Sequence, residues 1–288
     1  EVIKDKKGRR LIAFGRYAGI VGCYNGFLAY GKKSGAYNLK PAHECNDRAD
    51  MEAQLVNVKL PNNFKIVITG HGRVGGGAME IINKLGLKEV NSPEFLAQDF
   101  NEPVFTQLAV DEYNAKADGS SFTKANFYTD PSNFVSTFNQ YAPIADMYIA
   151  CHYWDSEAPY IFTRDDAKAK NWNIKIVADI SCDIDCAIAS TLRPSTIADP
   201  LYGYNPITES EDDFMKEGVI GVMAVDNLPC ELPLDASVDF GEMFLEHVLE
   251  PLIGNDPDNI IGRASETKNG QLTEHFAYLR DYIEETTA

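Results

Sequence analysis

Long apolar runs are missing from this sequence. No stretch approaches the roughly 18 residues that a membrane helix needs, so no membrane span is expected. No signal-peptide pattern opens the chain either, and a cytoplasmic protein is expected. Basic residues are scarce: 26 Lys plus Arg stand against 43 Asp plus Glu, a net charge of −17. Such a surface repels a phosphate backbone or an anionic bilayer, which argues against nucleic acid and membranes as partners. A small anion remains open, because local positive ends override a global charge. Cysteine is sparse, with six among 288 residues. That density excludes a disulfide-built scaffold and favours free thiols. Internal repeats and low-complexity tracts are absent.

What is present is an ordinary globular composition, 44% hydrophobic and 24% charged, long enough for a sizeable core. Residues 17–30 read as a helix. Gly15, Gly19, Gly22, Cys23 and Gly26 give that region an unusual number of small residues. Glycine weakens helices, so a glycine stripe implies another backbone packed close. Strands are expected at 64–69, 88–90, 103–108, 147–150, 174–179 and 219–225. Helices are expected at 78–85, from Ser92 onward, and at 131–141, 241–249 and 272–284. Strands alternating with helices predict an α/β fold: a Rossmann-type, doubly wound parallel sheet, with flanking segments from a second, partial domain. The expected division is 1–60 as linker helix and remnant of a catalytic domain, 61–240 as the dinucleotide-binding domain, and 241–288 as C-terminal helices.

The most informative stretch is Ile66-Val67-Ile68-Thr69-Gly70-His71-Gly72-Arg73-Val74-Gly75-Gly76-Gly77-Ala78. Gly70, Gly72 and Gly75 fit G-x-G-x-x-G between a buried strand and a helix, the context that gives this pattern meaning. Gly70 suits the tight turn, Gly72 lets a pyrophosphate approach, and Gly75 lets helix and strand pack closely. A glycine-rich turn without a ligand and an S-adenosylmethionine site are the competing readings; Arg73 favours a phosphate-bearing ligand. The acidic residue that reads a ribose in NAD sites is sought about 20 positions on. Glu89, Asn91, Ser92, Glu94 and Asp99 lie near there. With the strand ending at Val90, Asn91 or Ser92 meets the ribose, so both NAD and NADP stay open.

Three more strand ends carry polar groups. Cys151-His152-Tyr153-Trp154 offers a general acid or base in His152, or an aromatic wall beside a nicotinamide. Asp179 and Ser181 line a cofactor cleft. Cys182, Asp183 and Cys186 lack the matching ligands of a structural zinc, so no metal is expected. Val225-Asp226-Asn227-Leu228-Pro229 places Asp226 and Asn227 to bond a carboxamide or ribose; an Asx-type turn explains them equally well. Arg10 sits at the mouth of a strand, where it is suited to clamp a carboxylate.

Several of these blocks are together familiar. Gly8-Arg9-Arg10-Leu11-Ile12-Ala13-Phe14-Gly15-Arg16-Tyr17-Ala18-Gly19 resembles the segment entering the cofactor domain of lysine-forming saccharopine dehydrogenases. It is also similar to the lysine–ketoglutarate reductase half of the bifunctional lysine-degradation enzyme. Gly72 to Ala78, the strand end with Tyr153-Trp154, Asp179-Ile180-Ser181, and the Val225 to Pro233 block resemble further family blocks, in order. The wider relatives are alanine dehydrogenase and the transhydrogenase nucleotide domain. The resemblance implies an NAD- or NADP-dependent oxidoreductase acting on the CH–NH bond of an amino acid or secondary amine, in lysine metabolism. By it, Arg10 holds a substrate carboxylate. Arg73, Val74, Cys151, His152, Tyr153, Val225, Asp226, Asn227 and Leu228 hold the nucleotide. The family's acid–base lysine and histidine lie in an N-terminal segment with no counterpart here, so this chain is expected to bind cofactor without complete catalytic machinery. A non-catalytic redox-sensing module and an alanine dehydrogenase-like enzyme are the alternatives, and a homodimer is the assembly considered.

Overall fold

A computed structural model describes residues 2–287. The chain forms two compact units, one of residues 1–14 with 234–288, the other of residues 15–233. The boundaries thus fall elsewhere than at 60 and 240, and the long first helix belongs with the sheet.

The larger unit is built on an eight-stranded sheet. Its strands are β1 (Lys65–Thr69), β2 (Lys88–Glu89), β3 (Val104–Leu108), β4 (Met147–Ala150), β5 (Ile176–Asp179), β6 (Leu201–Asn205), β7 (Ser210–Asp212) and β8 (Ile220–Met223). Their spatial order is β2-β3-β1-β4-β5-β8-β6-β7. The first six in that order run parallel, while β6 and β7 extend the sheet antiparallel. β1, β4, β5 and β8 are buried along their whole length. That is why they read as continuous apolar runs rather than alternating ones: both faces are covered. Val67, Tyr148, Val177 and Val222 enter a core shared with Phe138 and Phe162. Each such side chain, fully buried, stabilises the fold by about 1.5–3 kcal/mol.

The opposite face carries α1 (Gly15–Ser34), α2 (Arg48–Ala53) and α3 (Arg73–Lys84). The glycine stripe of α1 has the expected cause. A methyl group at Gly19 would lie 1.9 Å from the Val74 carbonyl oxygen, and one at Gly77 on α3 would lie 2.0 Å from that of Arg16. Gly22 gives room to Ile180 and Leu228, and Gly26 to Ala178. Charge ties the same elements together: Glu80 accepts from Arg16 at 2.7 Å and meets Arg48 at 2.9 Å.

Some expectations change, and the expected helix 272–284 divides into the 3-10 segment Glu274–Leu279 and the helix Arg280–Thr287. Residues 131–141 do not form one helix. Phe134–Ser136 is a strand paired with Asn114–Lys116, flanked by the short 3-10 turns Pro131–Asn133 and Phe138–Gln140. Phe134, Phe138 and Tyr141 have helical spacing, but ribbon and turns bury them in the common core instead. The segment 201–212, unassigned from sequence, supplies β6 and β7.

In the smaller unit, helix Pro233–His247 is followed by short helices, a hairpin pairing 267–268 with 271–272, and helix Arg280–Thr287. Lys4 bridges Arg10, and Phe14 stacks on Phe240 with centroids 4.5 Å apart. Among the described residues, no helix is long and apolar enough to cross a membrane.

Candidate functional site

The parallel strands deliver their C-terminal ends to one edge, where ligands of open α/β sheets bind. At its centre β1 turns into α3. Gly70 holds φ at +95°, and a methyl group there would lie 2.6 Å from the Cys151 carbonyl oxygen. Gly75 is equally constrained: its methyl would stand 2.3 Å from the Gly70 carbonyl oxygen. That carbonyl already accepts from Gln107 Nε2 at 2.7 Å. Gly72 differs. It caps α3 with extended backbone and no side-chain bond, and a methyl group there meets nothing within 4 Å. The first intrahelical bond of the turn runs from the Gly76 amide to the Gly72 carbonyl. The amides of Arg73, Val74 and Gly75 precede that first bond and lie at the positive end of a 12-residue helix. A diphosphate fits this arrangement: a bare approach at Gly72, and amides to receive it. Val74 itself turns toward α1, its Cγ2 lying 3.4 Å from where a Gly15 methyl would be.

The end of β4 abuts this turn. Cys151 is buried, and burial pushes its thiol pKa up, which makes it a poor nucleophile. His152 is 7% exposed, and burial lowers its pKa to about 4. Its Nδ1 meets Thr69 Oγ1 at 2.9 Å, and Thr69 Oγ1 meets the Tyr148 hydroxyl at 2.9 Å. Nε2 is buried without a partner among the described residues. A neutral, locked imidazole positions the strand end; with its pKa lowered to about 4 it is uncharged at neutral pH. Tyr153 projects into solvent at 76% exposure, free to cover a bound ring.

Asp179, at the end of β5, is fully buried, and burial raises its pKa. It accepts from Ser181 Oγ at 2.6 Å, the Cys182 amide at 3.0 Å and Thr191 Oγ1 at 2.7 Å. Through these three donors Asp179 clasps the loop 179–191, while Ser181 stays half-buried. Cys182 donates to the Ala224 carbonyl, which joins that loop to the end of β8. Beyond β8, Val225 and Leu228 are buried and Asp226 and Asn227 exposed. Among the described residues, no three His, Cys, Asp or Glu side chains group as metal ligands.

One expected site residue belongs to the other unit, and another lies apart from this cluster. Arg10 is exposed and belongs to the smaller unit. Ser92 opens α4 (Ser92–Ala97) beyond the edge strand β2; it is buried, with its hydroxyl 2.6 Å from that of Tyr141. The strand beside β1 is β3, and its end was not singled out from sequence. There the Ala109 amide donates to Glu112 Oε2 at 2.7 Å. The alternation of 103–108, longer than that of 88–90, was the available signal.

No protein-family model matches the chain. It is 25% identical to rat "alpha-aminoadipic semialdehyde synthase, mitochondrial", over 97% of this chain and 35% of that protein. The Arabidopsis thaliana alpha-aminoadipic semialdehyde synthase is 27% identical, over 97% of this chain and 30% of its own length. The Schizosaccharomyces pombe "saccharopine dehydrogenase [NAD(+), L-lysine-forming]" is 24% identical, over 86% of this chain and 60% of that one. The chain thus spans about a third of the synthases' length. Among solved structures, an L-alanine dehydrogenase shares the fold, with a TM-score of 0.51 and 14% identity over 94% of this chain and 63% of that one. Along most of its length the chain is therefore similar to alpha-aminoadipic semialdehyde synthases and lysine-forming saccharopine dehydrogenases, the group that its ordered motifs resemble.

Proposed function

We propose that this chain is the dinucleotide-binding part of an NAD(P)-dependent oxidoreductase of the saccharopine dehydrogenase type, acting on the CH–NH bond of an amino acid or secondary amine. The observation that carries the reading is the β1–α3 turn. Gly70 and Gly75 are there because backbone fills their Cβ positions; Gly72 leaves open space at the N-terminal end of α3. Relatives that match nearly the whole chain include the saccharopine dehydrogenases, named as NAD(+) enzymes.

In this reading Gly72 and the amides of Arg73, Val74 and Gly75 receive the diphosphate. Tyr153, Asp226 and Asn227, exposed at the neighbouring strand ends, face the nicotinamide half. The nicotinamide, when bound, accepts or donates the hydride at the substrate carbon. The protein orients that carbon and excludes water. His152, neutral at pH 7, holds the end of β4 against the glycine turn. Arg10 is assigned the substrate carboxylate by resemblance alone. By the same resemblance, the acid–base lysine and histidine of the family belong to an N-terminal segment, which the turnover assay below supplies.

The test is calorimetric titration with NADH, NADPH and S-adenosylmethionine in parallel, then an assay of lysine- or saccharopine-dependent turnover by the chain fused to the N-terminal segment of a relative. Binding of a nicotinamide cofactor and restored turnover support the reading. Binding without restored turnover favours the redox-sensing module. Binding of S-adenosylmethionine alone, or of nothing, refutes it.

A further inference from the structure

The strand order relocates the place where an adenosine ribose is read. In a dinucleotide-binding sheet, the ribose hydroxyls meet the C-terminal end of the strand beside β1, on the side away from β4. Here that strand is β3, paired residue for residue from Lys65 with Val104 to Thr69 with Leu108. β2, only two residues long, lies outside β3. The residues after β2, Asn91 and Ser92, are committed elsewhere: Asn91 caps α4 in a reciprocal bond with Glu94, and Ser92 is buried against Tyr141.

β3 ends in a turn built around one carboxylate. The Gly70 amide donates to the Leu108 carbonyl at 3.0 Å. The next amide, that of Ala109, donates to Glu112 Oε2 at 2.7 Å, while the Glu112 amide donates back to the Ala109 carbonyl at 2.8 Å. Two hydrogen bonds and one peptide link thus join the Gly70 amide to the Glu112 carboxylate, which keeps them within about 8 Å. The charge is pinned at the end of the strand beside β1, next to the glycine that opens the phosphate turn. Oε2 is anchored, and Oε1 has no hydrogen bond among the described residues. The following residue, Tyr113, is buried and packs against the His152 ring at 6.3 Å, where Nε2 lacks a partner among the described residues. Asp111, exposed in the same turn, faces Lys124 at 3.4 Å.

We propose that Glu112 is the specificity-determining residue of this site: its carboxylate accepts from the ribose 2′-hydroxyl and repels a 2′-phosphate, so the chain takes NAD(H) in preference to NADP(H). This rests on the crevice being a nicotinamide-dinucleotide site and adds which dinucleotide it takes. A hydroxyl bonded to a carboxylate gains where a phosphate beside the same carboxylate loses, so the two cofactors separate by more than either effect alone.

The test measures the dissociation constants of NADH and NADPH for the wild-type chain and for Glu112→Gln, Glu112→Ala and Glu89→Gln. Glutamine still accepts from the Ala109 amide, so that variant keeps the turn and removes the charge; it keeps the proposal testable if the alanine variant fails to fold. Expected is a preference of the wild type for NADH of roughly tenfold or more. That preference shrinks at least fivefold in Glu112→Gln, and Glu89→Gln, at the end of the edge strand, leaves it unchanged. A purely structural role for Glu112 would weaken both cofactors equally and leave their ratio intact, which overturns the proposal. Equal affinity in the wild type, a preference for NADPH, or a ratio that moves in Glu89→Gln overturns it too, while leaving the nicotinamide reading in place. Binding of neither cofactor overturns both.

Discussion

Replacing Gly72 and Gly75 by alanine separates binding from folding within one turn. At Gly72 a methyl group meets nothing within 4 Å, and the backbone is extended with φ at −77°. Alanine costs about 1 kcal/mol as a helix N-cap. It regains about 0.4–1 kcal/mol by restricting the unfolded chain. The two nearly cancel, so the stability of Gly72→Ala should stay within about 0.5 kcal/mol of wild type. Its methyl nonetheless stands before the Arg73, Val74 and Gly75 amides, where the diphosphate must approach. NADH binding should fall at least tenfold, a loss of about 1.4 kcal/mol. At Gly75 the methyl would lie 2.3 Å from the Gly70 carbonyl oxygen and 3.1 Å from Gln107 Nε2. The first of these is backbone, so helix and strand must part. Overpacking of this kind costs about 1–3 kcal/mol. For a unit of this size that lowers Tm by roughly 2–10 °C. Thermal melts and NADH titrations of both variants decide the matter. If Gly72→Ala binds NADH as wild type does, no phosphate sits at that turn. If Gly75→Ala leaves Tm unchanged, the packing argument is wrong.

Three further outcomes follow from the same structure. Gly19→Ala places a methyl 1.9 Å from the Val74 carbonyl oxygen and 2.8 Å from the Ala78 amide, both backbone; its urea midpoint should fall below that of Gly75→Ala, and an unchanged midpoint contradicts the close approach of α1 to α3. His152 has its pKa lowered to about 4 by burial, so the unfolded chain binds its proton first and stability falls as pH drops from about 6.5 toward 4. That contribution is about 2 kcal/mol between pH 7 and 5. Burial raises the pKa of Asp179, Asp183 and Glu231, which works in the opposite sense, so the measurement is the difference between wild type and His152→Gln. Parallel pH profiles for the two contradict a buried neutral imidazole. Glu80→Ala removes the partner of Arg16 and Arg48 in a half-exposed network, and should cost about 1 kcal/mol at low salt and less in 1 M NaCl; a loss independent of salt would show that packing, not charge, joins those helices.

The glycine turn was legible because its cause is local. A β-branched run, three spaced glycines and a following helix need no tertiary information, and the α1 glycines signalled a close backbone by their number alone. The strand order was not legible. Residues 88–90 and 103–108 both read as strands, and nothing local says which one lies beside β1. The ribose position we propose is consequently the turn at 109–112 rather than Asn91 or Ser92. The misread helix at 131–141 has the same origin: Phe134, Phe138 and Tyr141 repeat at helical spacing, yet a ribbon partner at 114–116 decides their conformation. The role of Asp179 was also hidden, since the Thr191 hydroxyl that donates to it lies 12 residues away.

The most direct test of the central claim is amide hydrogen exchange of the chain with and without NADH. The account predicts slowed exchange at 70–77, 109–113 and 151–153, with residues 88–92 unaffected. No protection at 70–77 under saturating NADH, or protection confined to another part of the chain, would contradict it.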